Sequence, residues 1–134
     1  MVYRGLELAE PVLIMGREGP LSQVFRNLID NARSFSPPGG QVRVSLMRQG
    51  RQAVVSVEDD GPGIPPDNLE TVFDRFYTSR PKGQAFGGHS GLGLSIARQI
   101  VQAHNGRIRA ENRMDAEGKV LGARLSVSLP EARP

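Results

Sequence analysis

The 134-residue sequence contains no cysteine and no tryptophan, and only two histidines, His89 and His104. Without cysteine there is no disulfide framework, no thiol nucleophile and no thiolate-bound metal. Two histidines are too few for a metal centre built mainly of imidazoles. Aromatic residues make up only 5% of the chain, so the core has to be aliphatic. No apolar run approaches the ~20 residues of a membrane-spanning helix, and no leader pattern opens the chain. The expectation is therefore a soluble, cytoplasmic module. What is present is ordinary for a globular domain: 38% hydrophobic and 23% charged residues, with a formal net charge of +3. That balance favours anionic ligands but is too mild to indicate nucleic acid. With few aromatics available for stacking, nucleic acid is disfavoured as a partner.

Length and the absence of repeats predict one domain over residues 1–134. Leu6–Leu8 and Val12–Met15 read as two short strands. Gly19-Pro20 reads as a helix start, followed by an apolar stripe of helical period through Leu21, Val24, Phe25, Leu28, Ile29 and Ala32. Ser36-Pro37-Pro38-Gly39-Gly40 ends it. Val42, Val44 and Leu46, then Ala53, Val55 and Val57, alternate about Gln49-Gly50-Arg51 as a hairpin with one buried face. A short helical piece is expected around Leu69, Val72 and Phe73. A second helix spans Leu94–His104 with a stop at Asn105-Gly106, and two further strands flank a turn at Asp115–Gly118. This order predicts an α/β sandwich, a mixed and largely antiparallel sheet covered on one face by helices.

Three elements carry chemistry. Asn27 and Asn31 stand four apart on the first helix, so their carboxamides share one face. A carboxamide oxygen is a hard, neutral ligand suited to Mg²⁺. Asp60-Gly61-Pro62-Gly63-Ile64 ends a buried strand, where a fixed carboxylate can accept from a purine's exocyclic amine and glycines admit a flat ring. Gly87–Leu94 is glycine-dense and runs into the second helix, so backbone amides there can bind phosphate. From Arg75 to Ala110 there is no acidic residue, whereas Arg75, Arg80, Lys82, Arg98, Arg107 and Arg109 add positive charge. Each element alone is equally what a polar helix flank, a plain turn or a surface loop looks like. Together, in this order, they supply what Mg-ATP requires. Neither a Walker loop nor a Rossmann fingerprint is present.

At these residues the chain resembles the catalytic ATP-binding domain of bacterial sensor histidine kinases, in the GHKL superfamily. Asn27-Leu-Ile-Asp-Asn31-Ala32 is similar to the asparagine box, and Asp60-Gly-Pro-Gly-Ile64 to the first glycine box. Phe73-Asp-Arg-Phe76-Tyr77 is similar to the phenylalanine box, and Gly91-Leu-Gly-Leu94 to the second glycine box. The resemblance runs from about Leu6 to Leu129 and implies a Bergerat fold with its core over those residues and ATP under a lid from about Tyr77 to Ser90. It implies that Asn31 ligates Mg²⁺, that Asn27 supports metal or phosphates, and that Asp60 accepts from adenine with Gly61, Gly63 and Ile64 around the ring. Ser90, Gly91, Leu92, Gly93 and Leu94 would hold phosphates, Phe73 and Phe76 would anchor the lid, and Tyr77 would border the nucleotide. The family's basic residue three after Asn31 is Ser34 here, with Arg33 one position away. Thr78 and Ser79 stand where a basic lid residue is common, which leaves Arg80 or Lys82 to reach the γ-phosphate.

The implied activity is γ-phosphoryl transfer to a histidine on a separate dimerisation and phosphotransfer domain, with a response regulator engaged indirectly. Nucleotide sensing without transfer and a GHKL-type ATPase are the competing readings. Asn27 stands where hydrolytic relatives carry Glu, and an amide is no general base at neutral pH. This fragment is expected to be monomeric, and its parent a homodimeric inner-membrane sensor with this domain on the cytoplasmic side. His104 is expected to be structural.

Overall fold

The computed structural model describes residues 2–3, 14, 16–74 and 93–132. The apolar stripe forms α1, Glu18–Phe35, which buries Leu21, Val24, Leu28 and Ala32. Pro20 lies in its first turn, where the missing amide costs no helical hydrogen bond. Ser36, held extended ahead of Pro37, closes the helix and donates its N–H to the Ala32 carbonyl.

A strand β1, Val2–Tyr3, precedes the helix; β2, Arg43–Gln49, and β3, Gln52–Glu58, follow it as the expected hairpin. Its turn places Gly50 at φ +59, a left-handed conformation that glycine adopts without steric cost. The second helix, α2, covers Gly93–Ala103, and β4, Arg107–Met114, pairs antiparallel with β5, Val120–Pro130. The sheet order is β1-β2-β3-β5-β4, with β1 parallel to β2 and every other pair antiparallel. The expected α/β sandwich is therefore the observed architecture.

Two local features differ from expectation. Strand β1 lies nearer the start than either predicted opening strand. Of those two, Leu6–Leu8 falls outside the described residues, and Ile14, the one described residue of the second, makes a single bridge to Glu131. The helical piece near Leu69 is two 3₁₀ turns, Pro66–Asn68 and Thr71–Phe73, with Pro66 at the first position of the first. The expected stop at Asn105-Gly106 does close α2, with Asn105 left-handed at φ 62. Gly106 is needed for close approach, since a β-carbon there would overlap the Ser128 carbonyl.

Strand alternation sorts side chains between two unlike faces. Toward the helices, Val44, Val57, Leu125, Val127 and Leu129 pack with Leu28, Val24, Ala97 and Val101 in one aliphatic core. On the opposite face, register aligns Arg43, Glu58, Arg124 and Glu111 in a cross-strand row of alternating charge over four strands. His104 ties the helices together: its Nδ1 donates to the Ile100 carbonyl (2.8 Å), and its Nε2 accepts the Arg17 amide at the start of α1 (3.1 Å). Its expected structural role is what the geometry shows. Among the described residues, no helix is long and apolar enough to cross a membrane.

Candidate nucleotide site

One face of α1, through Asn27, Asn31 and Phe35, runs from the start of α2 to the glycine turn after β3. The 27–35 span is about 12 Å at the helical rise. At one end, Asn27 Nδ2 donates to the Gly93 carbonyl at 3.0 Å, while its Oδ1 accepts from Gln23 Nε2 at 2.5 Å. Asn27 thus joins the asparagine box to the second glycine box. Among the described residues the Asn31 carboxamide has no hydrogen-bond partner. Ser34 turns its hydroxyl back onto the Asn31 carbonyl (2.8 Å), and Arg33 is exposed. Leu94 sends its side chain into the core, so only the backbone there is open to phosphate.

At the other end stand two consecutive carboxylates with opposite fates. Asp59 continues the parity of Ala53, Val55 and Val57 toward the helices and is 4% exposed. Its Oδ1 accepts the Gly61 amide (2.9 Å) and the Ala123 amide (3.1 Å). Its Oδ2 receives no hydrogen bond from the described residues. Burial pushes the Asp59 carboxyl above its ordinary pKa, against the opposing pull of those two amides.

Asp60 belongs to the other face. Arg43 Nη2 contacts its Oδ1 at 2.5 Å, Arg113 Nη1 lies 3.3 Å from the same oxygen, and the Gln41 amide donates to Oδ2 at 2.9 Å. The Arg43 hydrogen bond, aided by the Gln41 amide, pulls its pKa down to about 2. The sequence reading aimed Asp60 at the adenine amine. The fold instead engages it with arginines on the sheet face away from the helices, and the carboxylate turned toward the helices is Asp59. That residue was missed, although the signal was present: the buried alternation at 53, 55 and 57 reaches 59 and not 60.

The glycines justify themselves sterically. A β-carbon on Gly61 would fall 2.7 Å from the Phe35 carbonyl at the end of α1, and Gly63 adopts φ +82. Ile64 packs against the core. Phe73 is buried, with the Arg98 guanidinium 5.9 Å from its ring centroid. Phe76, Tyr77, Arg80, Lys82, Ser90, Gly91 and Leu92, with the lid predicted over 77–90, lie outside the described residues. Among the described residues no group of three or more His, Asp or Glu could hold a metal by itself.

A helix with two asparagines, laid along a sheet whose strand end carries a buried carboxylate and a glycine turn, defines a nucleotide-binding α/β sandwich. Residues 16–133 match the family described as histidine kinase-, DNA gyrase B-, and HSP90-like ATPase, and the chain belongs to that family. It is 49% identical over 119 residues to the sensor protein ChvG of Rhizobium meliloti (strain 1021), a match covering 88% of this chain and 21% of ChvG. Among solved structures it is similar to the mycobacterial sensor histidine kinase MprB, with a TM-score of 0.76 at 35% identity over 90% of this chain and 76% of that one. A similar fit is to the histidine kinase ThkA in complex with the response regulator protein TrrA. There the TM-score is 0.76 at 25% identity over 98% of this chain and 34% of that one. The chain spans about a fifth of the length of the curated relatives it matches first.

Proposed function

We propose that this chain binds Mg-ATP between α1, α2 and the helix-facing side of the sheet. From there it donates the γ-phosphoryl group to a histidine on a separate dimerisation and phosphotransfer domain of a two-component sensor kinase. A response regulator receives the group in turn. The parent is a homodimeric sensor of the inner membrane with this domain on its cytoplasmic side. The observation that carries the reading is the single α1 face connecting Gly93, the Asn31 carboxamide and the Gly61–Asp59 turn. On this reading, metal, phosphate and base recognition follow one line along that face.

Asp59 takes the role first given to Asp60: its Oδ2, without a hydrogen bond from the described residues, accepts the amine that adenine has and guanine lacks at the same ring position. Gly61 and Gly63 leave room for the ring, and Ile64 borders it. Asn31 suits Mg²⁺, which takes few protein ligands and fills its shell with water and phosphate oxygens. When bound, Mg²⁺ neutralises charge on the phosphates. Asn27 sits in the phosphate region as a neutral amide and activates no water, which favours transfer to an acceptor imidazole over hydrolysis. Arg80 and Lys82 supply lid cations, and the backbone from Ser90 to Gly93 supplies amide donors, so that catalysis is positioning and charge stabilisation.

Calorimetric titration with a non-hydrolysable ATP analogue, with and without Mg²⁺, tests the site. One-to-one binding strengthened by Mg²⁺, with GTP analogues much weaker, is the expected result. A folded sample that binds neither nucleotide would overturn the reading.

A further inference from the structure

The loop from Asp59 to Ile64 leaves β3, crosses the end of β5 and is gripped by β4, two strands away in the sheet. The grip is specific. Asn112 Oδ1 accepts the Ile64 amide at 2.7 Å, and Asn112 Nδ2 donates to the Ile64 carbonyl at 2.7 Å. One side chain thereby reproduces the two-bond exchange that a neighbouring strand residue would make. Gly63 permits the approach, since a β-carbon there would fall 2.8 Å from Asn112 Oδ1 and 2.6 Å from Val120 Cγ1. From the next position on β4, Arg113 Nη1 donates to the Asp59 carbonyl at 2.6 Å. Consecutive residues of one strand, pointing to opposite faces, thus hold the two ends of the same turn.

Solvation alone does not demand this arrangement. Ile64 is only half-buried, and water could satisfy its amide and carbonyl. A bidentate clamp to both groups of one residue fixes position, which water does not.

We propose that Asn112 is a positioning residue of the nucleotide pocket. By pinning Ile64 it sets the height of the Gly61–Gly63 turn over the pocket, and with it the direction of Asp59. This rests on the nucleotide reading above, because its consequence is read in purine affinity. The carboxamide touches no ligand; it acts through the backbone it holds.

The test compares Asn112→Ala and Asn112→Asp with the wild-type chain. Aspartate keeps the volume and can accept the Ile64 amide, but it offers the carbonyl no donor. Affinity for a non-hydrolysable ATP analogue is measured together with amide hydrogen exchange in the nucleotide-free protein. Both variants are expected to bind about tenfold more weakly, the cost of one or two hydrogen bonds. Exchange should accelerate at Ile64 while the β5 amides of Val127 and Leu129 stay protected. Unchanged affinity in both variants would overturn the role of Asn112. So would a loss accompanied by uniform acceleration across β4 and β5, which marks mere structural damage. Failure of the wild-type chain to bind would instead overturn the nucleotide reading itself.

Discussion

Asp59 and Asp60 are the same residue type, adjacent in the chain, and they end on opposite faces of the sheet. Asp59 faces the aliphatic core and the helices, where burial raises its pKa. Asp60 faces the charge row, where Arg43 draws its pKa down to about 2. The same division separates the whole faces. The helix side is held by burial, and among the described residues one Asp59 oxygen there has no hydrogen-bond partner. The outer side matches Arg43, Arg113 and Arg124 against Glu58, Asp60 and Glu111 until every acid in the row is engaged. The carboxylate proposed for base recognition is thus the one that the described protein groups leave partly unsatisfied.

The largest effect is expected where the two faces meet. Gly122 lies under the Asp59–Asp60 backbone, and any β-carbon there would overlap the Asp59 carbonyl oxygen. Gly122→Ala should therefore cost about 3 kcal/mol of stability and disturb both carboxylates together. Thermal unfolding checks this, and a melting temperature within a degree or two of wild type would show that the turn is not seated on β5.

Next in size is the comparison of the two amide substitutions. Asp59→Asn can keep the bonds from Gly61 and Ala123, yet it turns a donor toward the purine amine. Affinity for an ATP analogue should drop about a hundredfold, the scale of losing a charge-assisted hydrogen bond and gaining an unpaired donor. Asp60→Asn should leave affinity within about threefold, since its target is arginine on the far face. The reverse ranking by calorimetry would return the base-recognition role to Asp60. Somewhat smaller is Asn31→Ala, expected to remove roughly tenfold of affinity only when Mg²⁺ is present. Equal losses with and without the metal would show that the amide serves structure.

Much of this was legible from periodicity. The stripe from Leu21 to Ala32 predicts α1, and the alternations about Gln49-Gly50-Arg51 predict the hairpin, because burial demands those periods. Of the four boxes, the asparagine box and the first glycine box lie wholly within the described residues, along one face of α1. What was not legible turned on pairing at a distance. Choosing between Asp59 and Asp60 required carrying strand parity through β3 to its end, and proximity to Gly61 pointed the other way. Asn112 sits 48 positions from Ile64, and nothing in Glu111-Asn112-Arg113 as a string says which loop it grips. Strand β1 was not foreseen because it is two residues long and has no period to read.

The smallest effect is the sharpest test of the comparison, because the two carboxylates should bend the stability curve in opposite directions. Asp60 has a folded pKa below its unfolded value, so its contribution is complete above about pH 4 and is lost as pH falls toward 2. Asp59 has a folded pKa above its unfolded value, so folding favours its protonated form and stability declines as pH rises from about 4 through that raised value. Asp60→Asn should flatten the acid limb by about 1 kcal/mol after solvent screening is allowed for. Asp59→Asn should instead remove the decline above pH 4, which makes the variant at neutral pH at least as stable as wild type while it binds nucleotide poorly. Urea unfolding at half-unit steps from pH 2 to 7 measures both slopes. Slopes of the same sign for the two variants would mean that the carboxylates share one environment, and the division of the sheet into a binding face and a bracing face would fall.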